Sequence, residues 1–127
     1  MPAAPIVPRE FGILEKATGS YTATITGNDG ATPIPAASLS TLVLTLYVVK
    51  SDGTTGIVNS RDAQNILNAN NVTVSAAGLL TWAIQTADTT LVEALPFERH
   101  IALFEWTASG VAGKHEMVLV VQGLTEV

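Results

Sequence analysis

The apolar residues of this chain come in short bursts of strand formers, cut at intervals by Gly, Asn, Asp and Pro. The longest burst, Leu39 to Lys50 (LSTLVLTLYVVK), is apolar along both of its sides. Breaks every 8–20 residues or so, with period-two patterning between them, point to an all-β chain rather than to helices. Ser20 to Thr26 (SYTATIT) reads as a strand that stops at the turn signal Gly27-Asn28-Asp29-Gly30. Pro33 and Pro35 make Ala31 to Ala37 a loop or an edge. A short strand follows over Gly56 to Asn59, then a brief helix over Arg61 to Leu67, with Ser60 as its N-cap and Ala63, Ile66 and Leu67 turned inward. Val72 to Ser75 and Leu79 to Ile84 read as strands around Ala76-Ala77-Gly78. Thr86 to Leu95 is a loop with one helical turn. Glu98 to Thr107 and Lys114 to Leu124 form a final hairpin across the loop Ala108 to Gly113.

About seven strands, mostly antiparallel by their turns, predict an immunoglobulin-like two-sheet antiparallel β-sandwich with one short connecting helix. Residues 20–127 form that sandwich, and Trp82, Phe104, Trp106, Leu44, Leu46 and Leu119 are its expected core. Residues 1–19 precede it as an extended arm, because Pro2, Pro5 and Pro8 favour polyproline-like backbone and cannot donate to a ladder. No basic leader with an apolar core opens the chain, so export by a secretory signal is not expected.

In a free-standing antiparallel sandwich each strand is apolar toward the core and polar toward water. Here Leu42, Leu44, Leu46 and Val48 are backed by Val43, Thr45, Tyr47 and Val49. Met117, Leu119 and Val121 are backed by Val118 and Val120, and Ile101 and Leu103 back Ala102, Phe104 and Trp106. Composition agrees: 47% of the 127 residues are hydrophobic and 13% are charged, against roughly 25% charged in ordinary soluble domains. An outer face of this kind calls for a partner, with contacts between copies of the chain included; the alternative is a monomer in which the N-terminal arm or the loop Thr86 to Pro96 covers that face. The residues expected to make those contacts are Val43, Tyr47, Val49, Val118 and Val120 on the sheet, with Ile6, Val7 and Phe11 on the arm.

Other chemistries are disfavoured. Six basic residues against eleven acidic ones, a net charge of −5, leave no clustered Lys and Arg for nucleic acid. The apolar residues are not gathered into one long span for a membrane. With no cysteine, disulfides, thiolate zinc sites and thiol nucleophiles are impossible. His100 and His115 lie beside Glu98 and Glu116, but a hairpin spaces them on the order of 20 Å apart, so they cannot share an ion and are expected to be solvated. In one register Glu105 faces Glu116, which would need a nearby cation such as Arg99 or Lys114. No nucleophile elbow, HExxH helix, phosphate loop or calcium loop is present. We therefore expect no catalytic residues, metal or cofactor. Trp82, Trp106, Tyr21 and Tyr47 are too few for a convincing sugar platform, which leaves a carbohydrate-binding module as a minor alternative.

Several stretches bear a family likeness: Asp62-Ala63-Gln64-Asn65-Ile66-Leu67-Asn68, Asn71-Val72-Thr73-Val74, Gly78-Leu79-Leu80-Thr81-Trp82, His100-Ile101-Ala102-Leu103-Phe104-Glu105-Trp106 and Gly113-Lys114-His115-Glu116. Together, across Leu39 to Val127, they resemble the small immunoglobulin-like structural proteins of tailed bacteriophages. The resemblance implies a non-enzymatic virion component assembled in the host cytoplasm. Its foremost role would be a capsid decoration (cement) protein bound to the major capsid protein and neighbouring subunits. A tail, baseplate or head–tail adaptor subunit is the alternative station.

Overall fold

In a computed structural model, which describes residues 9–27, 31–93 and 96–123, the chain is built almost wholly from strands packed as two sheets. The strands are β1 (Arg9–Leu14), β2 (Gly19–Thr24), β3 (Leu39–Val49), β4 (Thr55–Ile57), β5 (Gln64–Asn65), β6 (Val72–Val74), β7 (Leu79–Ile84), β8 (Phe97–Ala108) and β9 (Val111–Gln122). The larger sheet runs β1-β9-β8-β3-β4, with β5 also on β3, and the smaller runs β2-β7-β6. Two 3-10 turns, Ala36–Ser38 and Thr86–Thr89, are the only helical pieces among the described residues. None is long or apolar enough to cross a membrane.

Alternation places the core. Leu42, Leu44, Leu46 and Val48 of β3 point inward with Ala102, Phe104 and Trp106 of β8 and Met117, Leu119 and Val121 of β9. They meet Tyr21, Leu80, Trp82 and Ile84 from the smaller sheet. All six residues expected in the core are there. The edge of the Trp82 ring meets Phe104, with centroids 5.8 Å apart.

Three local expectations are corrected. First, residues 61–67 are not a helix. Asn59, Ser60, Ala63 and Asn68 all have positive φ, which no helix tolerates. The segment instead runs extended along β3, with the Arg61 carbonyl accepting from the Leu46 amide and the Ile66 amide donating to the Leu42 carbonyl. Ile66 is in the core as expected, but Ala63 is exposed.

Second, residues 9–14 of the expected arm are strand β1, which pairs in parallel with β9 from Arg9↔Met117 to Leu14↔Gln122. From Arg9 to Leu14 every residue has an amide to donate, and Phe11 and Ile13 pack against the core. Residues 1–8 lie outside the described part.

Third, the final hairpin closes in two residues rather than a longer loop. Ala108 faces Val111, and Ser109 and Gly110 take φ of 50° and 79°, the double left-handed geometry that matches strand twist. That register sets Glu105 opposite Lys114 and Glu116 opposite Leu103, so the two glutamates do not meet.

Candidate functional site

The outward side chains of the larger sheet form rows across the strands. One row runs Glu10, Val118, Ile101, Tyr47, Ile57 through β1, β9, β8, β3 and β4. Four of its five members are apolar or aromatic. Beside it, Leu103 and Thr45 face each other, and Val43 lies between Asn65 and Glu105. On the other side come Gly12, Val120 and Arg99, and then Leu14, Gln122 and Phe97. Much of the face is apolar because β3, β8 and β9 carry strand formers at outward positions such as Val43, Tyr47, Ile101, Leu103, Val118 and Val120 as well as at the inward ones.

Of the residues expected to contact a partner, Val43, Tyr47, Val49, Val118 and Val120 all lie on this face. Val49 is 53% exposed, while Val118, at 8%, is already covered by its neighbours. Phe11 is not on it: its ring points inward and meets the Tyr21 ring edge-on. Parallel pairing with β9 dictates this, since Phe11 sits opposite the core residue Leu119. Ile6 and Val7 lie outside the described residues. The sequence reading missed Leu14 (46% exposed), Ile57 (44%) and Phe97 (54%). Leu14 was hidden within the presumed arm. Phe97 follows Pro96, and its place at the head of β8 depends on a register that no local pattern reveals.

The face also carries charge: Glu105 lies opposite Lys114, and Glu116 lies opposite Leu103. Arg99 and Glu10 pair at 3.4 Å with both side chains more than half exposed. Tyr47 holds its phenolic proton more tightly than usual, because burial disfavours the phenolate and Glu116 adds like-charge repulsion.

A second cluster lies inside the protein. Arg61 and Asp88 are both buried, with Nε 2.6 Å from Oδ1. The guanidinium also donates to Gln64 Oε1, the Asn70 carbonyl and Asn71 Oδ1, and lies 5.7 Å from the Trp82 ring centre. His100, expected in solvent, is fully buried, with Nδ1 3.0 Å from the Asp88 carbonyl and Nε2 2.9 Å from Glu98 Oε1. The Glu98 carboxylate accepts from the Val92 and Glu93 amides as well. These groups satisfy one another and pin the segment around residues 86–93 to β8.

His115 is elsewhere, with its Nε2 2.7 Å from the Tyr21 hydroxyl. Its cross-strand partner is Phe104, so it lies four residues along the ladder from His100. Among the described residues no three His, Asp or Glu side chains gather closely enough to hold a metal ion. Of the four rings weighed for a sugar platform, Tyr21, Trp82 and Trp106 are buried in the core and Tyr47 lies on the outer face. No family model matches this chain, and no curated protein matches it. The functional reading therefore rests on the sheet face.

Proposed function

We propose that this chain is a non-catalytic structural subunit of a tailed-bacteriophage virion, an immunoglobulin-like sandwich that decorates the capsid shell and docks through the outer face of its larger sheet. The observation that carries the reading is the row Val118–Ile101–Tyr47–Ile57, an apolar band across four strands where a monomeric sandwich would be polar. The strand order supports the immunoglobulin-like part. Taken in chain order, β9-β8-β3-β4 and β2-β7-β6 match the G-F-C-C′ and B-E-D strands of a variable-type sandwich, with β1 added parallel to the last strand. The low charge and the sequence resemblance agree with a particle component. Attachment is assigned to the sheet face rather than to residues 1–16 as a free arm, because 9–14 belong to the sheet.

Quantitative staining of purified particles tests the station: hundreds of copies per particle or so mark shell decoration, and about six or twelve mark a tail ring. Particles lacking the chain should take up added wild-type protein but not Tyr47→Lys, which puts a charge at the centre of the band. Absence of the chain from particles, or full binding by Tyr47→Lys, overturns the proposal.

A further inference from the structure

The hairpin end of the sandwich holds a hollow of about 340 Å³. Trp106, Val111 and Gly113 help form one wall, and Pro33, Ile34 and Pro35 the other. Both walls are pinned in place. The Ile34 amide donates to the Ile25 carbonyl and the Gly27 amide to the Thr32 carbonyl, while the two-residue turn closes β8 onto β9. Gly113 uncovers the nitrogen edge of the Trp106 indole, since a Cβ there would fall on that edge. Although Trp106 is only 9% exposed, its Nε1–H donates to no group among the described residues. A buried indole nitrogen can only donate, so this one calls for an acceptor.

The chain itself carries a segment of matching chemistry. Residues 1–8 (MPAAPIVP), outside the described part, place proline at positions 2, 5 and 8. That is the three-residue repeat of a polyproline helix, which sets the rings along one ridge and leaves every carbonyl free to accept. Such ridges dock on aromatic-walled grooves. Direction and reach follow from β1. Its parallel ladder begins at Arg9↔Met117, so the residues before it head along β9 toward Gly113, about 13 Å away. Eight residues at about 3.1 Å each span about 25 Å. The ladder also dictates where the segment must leave it. The Glu15 amide donates to the Gln122 carbonyl, so odd-numbered residues turn their backbone groups toward β9. Pro8 would lose no ladder bond, but Pro5, level with Gly113 in this register, has no amide to give.

We infer that residues 1–8 run on past β1 and seat the Pro5 ring in the hollow at Trp106 and Gly113 of the same chain, with a neighbouring backbone carbonyl accepting from Trp106 Nε1–H. The same chain is favoured over a second copy because Arg9 is already held on β9, so docking spans a short tether and costs no association entropy. The hollow shares no residue with the band Val118–Ile101–Tyr47–Ile57, so the inference goes beyond the virion reading and stands or falls without it.

The chain has no cysteine, so a nitroxide on Ala3→Cys marks this segment alone. In the full, isotope-labelled chain it should strongly broaden the nuclear magnetic resonance of the Trp106 indole N–H. Adding Pro5→Asp puts a charge where the apolar ring sits. It should remove most of that broadening and speed solvent exchange of the Trp106 indole proton on the order of tenfold. The amide resonances of β1 and β9 should stay in place, because the substitution lies outside the ladder. Three results overturn the inference: no broadening in the tagged chain, broadening that persists in Pro5→Asp, or broadening as strong between a tagged unlabelled copy and an untagged labelled one, which would give the hollow to a neighbouring molecule.

Discussion

Arg61 shows how a single side chain can override local preference. Its segment has a helix start signal, yet the guanidinium is drawn into the interior by Asp88, 27 residues away, and the backbone follows through left-handed residues. Such a pair adds little net stability when complete but is costly to break, since the surviving charge stays buried. Asp88→Ala should therefore lower the unfolding free energy by about 3–5 kcal/mol, read from urea denaturation. Glu98 gives the pair's pH-sensitive neighbour. Burial raises its carboxyl pKa, but hydrogen bonds from His100 and from the Val92 and Glu93 amides, with the His100 charge, outweigh burial and hold it below the ordinary 4.5. A group more acidic in the folded state stabilises that state above its unfolded value, and the contribution is lost as pH falls through the folded value. Urea midpoints should accordingly drop below pH 4.5, and Glu98→Gln should lose that part of the acid dependence while being less stable at neutral pH.

Among the elements, the β8–β9 hairpin sets the geometry of the face, and its glycines divide by what surrounds them. Gly113 lies opposite Trp106, and a Cβ there would fall on the indole ring. Gly113→Ala should cost about 1–3 kcal/mol in thermal unfolding. Gly12→Ala, with open space above an extended backbone, should be neutral or stabilising by up to about 1 kcal/mol. Most strands were legible in the sequence because alternation and turn residues are local signals: β2, β3, β6, β7, β8 and β9 lie close to where the pattern put them. The register of the hairpin was not legible. It is set by the two-residue turn at Ser109 and Gly110, whereas Ala108 to Gly113 also reads as a longer loop.

At the scale of the whole molecule, β1 closes the larger sheet and covers one end of the core. Deleting residues 1–16 would remove Phe11 and Ile13 from their places against Tyr21 and Gly19. It should cost about 2–4 kcal/mol and favour aggregation, seen as a lower Tm and light scattering on heating. The run of residues 9–14 could not announce itself as a strand, because its partner in the parallel ladder lies more than a hundred residues later. The same separation hid Leu14 and Phe97, which become neighbours of one hollow only when β1 and β8 flank β9. The sequence by itself determined the β class, the core residues and the two-sided apolar character of β3, β8 and β9, because period-two patterning is written residue by residue. Tertiary structure alone decided that Phe11 turns inward, that His100 and Arg61 are buried, and that Leu14 and Phe97 border one hollow on the outer face. Those outcomes depend on which distant strands pair, and in what register.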